Sequence, residues 1–237
     1  ILKSARKLKN LIIKELQDVA KKYGKPRKTE IVYQTEEIEA EEEQEDIPDY
    51  PVTMFVSKEG YLKKITPQSL RMSGEQKFKE GDSLSFSRET SNRAELLVFT
   101  NMAQCYKTRL SDFEDSKASL LGAYLPSTLG MDPEEKVLSV LLPGDYKGHV
   151  LFFFENGKAA KVPLSAYETK TNRRRLTGAY SDKSPLVKAM VMDADAQVVV
   201  YTSDSRAAII STALMLPKTT RNTQGVAVVS LKKKAVV

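Results

Sequence analysis

Cations carry the chemistry this sequence offers. Lysine and arginine recur on or just after the second strands of a repeated β unit: Lys63, Lys64, Arg71, Lys77, Lys79, Lys107, Arg109, Lys158, Lys161, Arg173, Arg174, Arg175, Arg206, Lys218 and Arg221. Repeated along a curved edge, such groups neutralise the phosphates of a polyanion without reading its bases. No segment offers a recognition helix for a major groove. The densest run, Arg173-Arg174-Arg175, lies in a Thr/Asn-rich loop. For any one of these residues a plain solvated surface is the alternative reading.

Other chemistries lack their parts. Among 237 residues there is one His, one Cys and no Trp. A Ser-His-Asp or Cys-His centre would have to be built on His149, which opens a strand and reads as an edge polar residue. Cys105, within a strand, reads as a small core hydrophobe, so neither a disulfide framework nor a zinc cluster is expected. No apolar run approaches the roughly 18 residues of a membrane span. The length suits one or two domains with a real core, in a reduced, soluble compartment. The first residue, Ile1, points to a fragment or processed product.

The net charge of +6 conceals a segregation. Residues 1–28 hold ten bases and two acids, 29–50 ten acids and no base, and 51–237 27 bases and 19 acids. In the first block Leu8, Leu11, Ile12, Leu16, Val19 and Tyr23 form one stripe at helical spacing, stopped by Gly24 and Pro26. The stripe predicts the end of a longer helix, with a helix packed on its own domain as the alternative. The acidic block repels itself and buries little, which predicts an extended linker able to compete with a polyanion for the basic region.

From residue 52 the chain repeats. Windows of 19 residues starting at 52, 95, 149 and 197 align without a gap. Each has a β-branched or aromatic run, a short polar tip and a second strand, the pattern of a hairpin. Three copies carry a base in the second strand (Lys64, Lys107, Lys161), where the fourth has Ile209. Phe152, Phe153 and Phe154 read as core. Further strand-like runs follow each hairpin: Ser83–Ser87, Val137–Leu142, Leu186–Met192 and Val226–Leu231. Units this small must stack to bury their faces, which predicts about four propeller-like blades over 51–237. A chance-similar β-sandwich is the competing architecture. Either the last run completes the first blade, or the chain stops where a fifth hairpin begins.

Lys14–Ile31, KELQDVAKKYGKPRKTEI, resembles the end of the coiled-coil region in A subunits of bacterial type IIA topoisomerases, where a KYG-x-x-R-(R/K)-T segment leads toward the C-terminal domain. The repeats resemble that domain, the β-pinwheel found in the A subunits of DNA gyrase and of topoisomerase IV. Arg221–Val226, RNTQGV, is similar to the family's inter-blade R-x-x-(S/T)-x-G-V. Two departures stand out. Arg71–Phe78, RMSGEQKF, replaces the gyrase Q-R-R-G-G-K-G heptapeptide, and four blades is fewer than the six usual in gyrase; both lean toward a topoisomerase IV-like or divergent gyrase-like subunit.

The resemblance implies a mainly β pinwheel preceded by one helix (1–28) and an acidic linker (29–50). It implies sequence-nonspecific binding and bending or wrapping of double-stranded DNA in a bacterial cytoplasm, at the nucleoid. The parent protein would form an A-type homodimer and partner an ATPase B-type subunit, with ATP and Mg on other domains. No cofactor and no catalytic residue is carried over to this stretch, whose ten tyrosines read as packing or linker residues. The alternative is a protein-interaction propeller whose basic rim binds an acidic partner. A propeller hydrolase lacks a recurring carboxylate/His constellation.

Overall fold

The structure, a computed structural model, describes residues 5–25, 47–72, 75–169, 174–232 and 235–237. The chain divides into two units, 1–45 and 46–237. In the first, helix α1 (Ala5–Tyr23) ends as the Gly24 amide donates to Ala20 O, and none of its residues is buried. The expected boundary at 28–29 and most of the acidic segment fall outside the described residues.

In the second unit each aligned window is an antiparallel hairpin, and in the first three the successive apolar residues of the first strand are buried on both its faces. The pairs are β1 (Pro51–Ser57) with β2 (Tyr61–Ile65), followed by helix α2 (Pro67–Met72) and β3 (Leu84–Ser91); then β4 (Glu95–Thr100) with β5 (Gln104–Arg109), followed by β6 (Ala123–Tyr124), helix α3 (Leu125–Thr128) and β7 (Val137–Leu141). The third hairpin is β8 (His149–Phe154) with β9 (Lys158–Pro163), followed by β10 (Arg175–Thr177) and β11 (Leu186–Met192). The fourth is β12 (Gln197–Tyr201) with β13 (Ala207–Ser211), followed by β14 (Val226–Ala227). At one aligned tip position Gly60, Ala103, Gly157 and Ser205 all take positive φ, between 53° and 89°. That left-handed residue closes the tight reversal, and only in two copies is it glycine.

Sheet order shows how the blades interlock. Three sheets have four strands, β3-β1-β2-β6, β10-β5-β4-β7 and β11-β8-β9-β14, and the fourth is the pair β12-β13. Each blade's fourth strand therefore comes from the chain that follows the next hairpin. Val226–Leu231 is a correction to the sequence reading: only Val226–Ala227 is strand, and it pairs with β9 of the third blade rather than completing the first. The place from which β3, β7 and β11 start is taken in the fourth blade by Val236. Ser203 N donates to Val236 O, just as Lys58 N does to Ser83 O, Asn101 N to Lys136 O and Glu155 N to Pro185 O. The returning strands need glycine where they cross: a Cβ on Gly225 would lie 1.8 Å from Ala159 O, and one on Gly122 2.3 Å from Leu62 O.

One packing rule holds at all three interfaces. Met54, Val56 and Leu62 meet Leu96 and Val98 of the second blade. Leu97, Phe99 and Cys105 meet Val150, Phe152 and Phe154 of the third. Leu151, Phe153 and Ala159 meet Val198 and Val200 of the fourth. All three phenylalanines are core, as read, and Cys105 is fully buried, which pushes its thiol pKa up. The corresponding face of the fourth blade is open, with Val199, Tyr201 and Ile209 exposed by 48%, 72% and 70%.

Buried phenols make this core sensitive to alkali. Desolvation, then the Glu135 carboxylate, pushes Tyr106 up to about 12, and desolvation pushes Tyr180 up to about 12. A folded-state pKa above the ordinary value of 10.0 means their contribution to stability is full below pH 10 and is lost as pH rises toward about 12. Tyrosinate absorbance and circular dichroism followed together through that window should change as one cooperative event. Smooth ionisation with the β signal intact would contradict this.

Candidate nucleic-acid interface

The inner and outer edges of the blades are formed by different strands. Strands β3, β7 and β11 border a cavity of about 320 Å³. The returning strands β6, β10 and β14 lie at the opposite edge of each sheet. The segments that deliver them dock on the second strand of the preceding hairpin at one aligned residue. Ser116 N donates to Lys64 O (2.7 Å), Lys107 N to Arg174 O (2.8 Å) and Lys218 N to Lys161 O (2.8 Å). These outer segments carry Lys117, Arg174, Arg175, Lys218 and Arg221, which the fold thus brings to one kind of edge.

The fifteen expected cations separate by burial. Lys63, Lys64 and Lys161 are interior, 2%, 3% and 8% exposed. Lys63 Nζ donates to the carbonyls of Lys77 (2.5 Å) and Ala118 (3.1 Å) and lies 5.2 Å from the Phe78 ring centroid. Desolvation holds its pKa below the usual lysine value. Lys64 Nζ meets Asn92 Oδ1 at 2.7 Å and Asp115 at 3.1 Å, and Lys161 Nζ meets Asp195 at 2.6 Å. Hydrogen bonding from Lys161, then from Thr212, keeps the Asp195 carboxyl below its ordinary pKa. These three have no free face for a phosphate and stand outside the interface proposed below.

A second group is half-buried. Lys107 pairs with Glu95 (3.2 Å) and lies 5.0 Å from the Tyr146 ring centroid. Lys158 donates to Gln224 Oε1 (2.8 Å), Arg221 sits 5.9 Å from the Tyr167 ring centroid, and Lys218 is half-exposed. Four more are exposed but paired: Lys79 with Glu59, Arg109 with Glu95, Arg175 with Asp132 and Arg206 with Asp204, at 2.9, 3.7, 2.9 and 2.8 Å. Exposed pairs of this kind are screened by solvent and contribute little to stability, so a phosphate can displace the carboxylate. Arg71, Lys77 and Arg174 are exposed without an ion-pair partner among the described residues. Arg173 lies outside the described residues. Lys117, exposed and five residues before Gly122, is a rim cation that sequence reasoning missed; the glycine that lets the outer strand cross was its signal.

The arrangement suits backbone contact with a polyanion. Helices α2 and α3 have six and four residues, too short to read a groove. Among the described residues there is no group of three His, Cys, Asp or Glu able to hold a metal ion. No helix there is long and apolar enough to cross a membrane.

Comparison with known proteins is consistent with this architecture. No family model matches the chain. It is 25% identical over 208 residues to the A subunit of DNA topoisomerase 4 from Staphylococcus aureus, covering 86% of this chain and 26% of that protein. The chain thus spans about a quarter of the length of the curated relatives it matches. The crystal structure of the C-terminal domain of DNA topoisomerase IV superposes with a TM-score of 0.69 at 22% identity, over 80% of this chain and 60% of that one. The DNA gyrase A C-terminal domain gives 0.55 at 16% identity, over 79% and 63%. The E. coli ParC C-terminal domain gives 0.57 at 14%, over 76% and 72%. By sequence over most of its own length this chain is similar to the A subunit of DNA topoisomerase 4, and its blades have the β-pinwheel fold of the C-terminal domains of DNA topoisomerase IV and DNA gyrase A.

Proposed function

We propose that the blades bind duplex DNA without sequence preference along their outer edges and bend and wrap it, presenting it to a topoisomerase core that lies outside this chain. The carrying observation is the placement of exposed bases on the segments that feed the outer strands, blade after blade. Bending a duplex by 40–90° costs on the order of 1–6 kcal/mol, which several phosphate contacts offset. On this reading residues 51–237 are the DNA-binding domain, 1–28 the helix that joins it to the rest of the parent protein, and 29–50 a linker. The parent enzyme would act in the bacterial cytoplasm as an A-type homodimer with an ATPase partner, and this chain alone would cleave no DNA.

The test is topological. Relaxed plasmid is incubated with the protein, resealed by a nicking-closing enzyme, and stripped. A shift in linking number that grows with protein is expected. An unchanged distribution at saturating protein would overturn wrapping of the duplex along a chiral path, and tight capture of an acidic protein with feeble DNA binding would favour an interaction propeller.

A further inference from the structure

The base repeated in the second strands of the first three blades does something other than contact DNA. In the first and third blades its ammonium reaches forward to the loop that enters the next hairpin, and in the second it does so through a carboxylate. Lys64 Nζ meets Asn92, three residues before β4, at 2.7 Å, with Asp115 beyond β5 at 3.1 Å. Lys161 Nζ meets Asp195, two residues before β12, at 2.6 Å, and the carbonyl of Thr212 beyond β13 at 3.4 Å. Thr212 Oγ1 also donates to Asp195 Oδ1 (3.0 Å), so that loop is held from both ends. Lys107 is the relayed version: it pairs with Glu95, whose Oε2 accepts from the Tyr146 hydroxyl (2.7 Å), three residues before β8. The same three residues receive or send the backbone bond to the returning outer segment. One residue per blade thus joins its neighbour through the side chain and its own fourth strand through the backbone. At the aligned position of the fourth blade, whose equivalent face is uncovered, stands Ile209, 70% exposed.

The geometry points to these lysines as positioning residues, inter-blade struts that set the angle between successive blades and so the curvature of the DNA laid along them. The inference rests on the DNA-bending reading above. Apolar packing between blades is non-directional, whereas a buried ammonium held by two or three oxygens admits one arrangement of the two loops.

The experiment compares the whole chain with its Lys161→Met and Asp195→Asn variants. At saturating DNA, the end-to-end distance of a doubly labelled duplex should increase in both, while affinity and its salt dependence stay within about twofold of the parent. Amide exchange at Asp195–Thr212 should accelerate by about tenfold or more. Ile209→Lys, with no loop to reach, should leave the bend unchanged. Should Lys161→Met fail to fold, Asp195→Asn carries the test from the exposed side of the pair.

An unaltered bend with unaltered exchange overturns the strut. So does a fall in the log-log salt slope by about 0.9 in Lys161→Met, which would make that lysine a phosphate contact. If no variant and no parent binds DNA, the DNA-bending reading fails by itself, and the exchange measurement still decides whether the lysine holds the loop.

Discussion

Affinity for duplex DNA should fall by about three to four decades as salt rises from 50 to 200 mM, with a log-log slope of about −6. That slope follows from the cations that can reach phosphate. About seven qualify by exposure and edge: Arg71, Lys77, Lys117, Arg174, Arg175, Lys218 and Arg221. Each neutralised phosphate contributes about −0.9 to the slope. Had all fifteen bases of the sequence pattern been contacts, the slope would approach about −13. The difference is large enough that one titration decides between the two sets. Removing Arg174 and Arg175 together should weaken binding to every sequence alike and reduce the slope by about 2. A slope shallower than about −3 would mean that the outer edges do not form one track.

Phe152→Ala should lower the unfolding free energy by about 3–5 kcal/mol, while Tyr201→Ala should change it by less than about 0.5 kcal/mol. Both are aromatics on first strands of aligned hairpins. Phe152 is fully buried, with ring centroids of Phe99, Tyr180 and Tyr167 at 5.4, 5.7 and 6.4 Å. Its removal empties the middle of the interface between the second and third blades, and neighbours fixed in two sheets cannot collapse into the space. Tyr201 stands on the uncovered face of the fourth blade. Urea titration of both variants measures the contrast. Since native domains are stable by about 5–15 kcal/mol, the first variant should approach the unfolding threshold and the second remain at the parental midpoint. Equal midpoints would mean that the blades do not share a core.

Both results depend on which faces the neighbours cover, and there the sequence was legible only in part. Gapless repetition of β-branched and aromatic runs located all four hairpins, and the polar tips fell where the chain reverses, even at Ala103 and Ser205. The returning strands escaped notice because β6 and β14 have two residues each and no periodicity to detect. For the same reason Val226–Leu231 read as a longer strand, with two possible places for it, neither of them beside β9. The repeated lysine was visible, but its role was not. A cation at a fixed strand position has the same pattern whether it faces phosphate or a carboxylate of the next blade.

What the amino-acid order settled alone is the local part: hairpin phase, reversals and the excess of base after the acidic segment. These depend on residues a few positions apart. Which cations meet solvent was decided by tertiary structure. The partners that enclose Lys64 and Lys161 lie 28 and 34 residues further along, and they reach them only when the chain has turned toward the next blade. Burial is a property of what comes to rest alongside, and spacing along a strand says nothing about that.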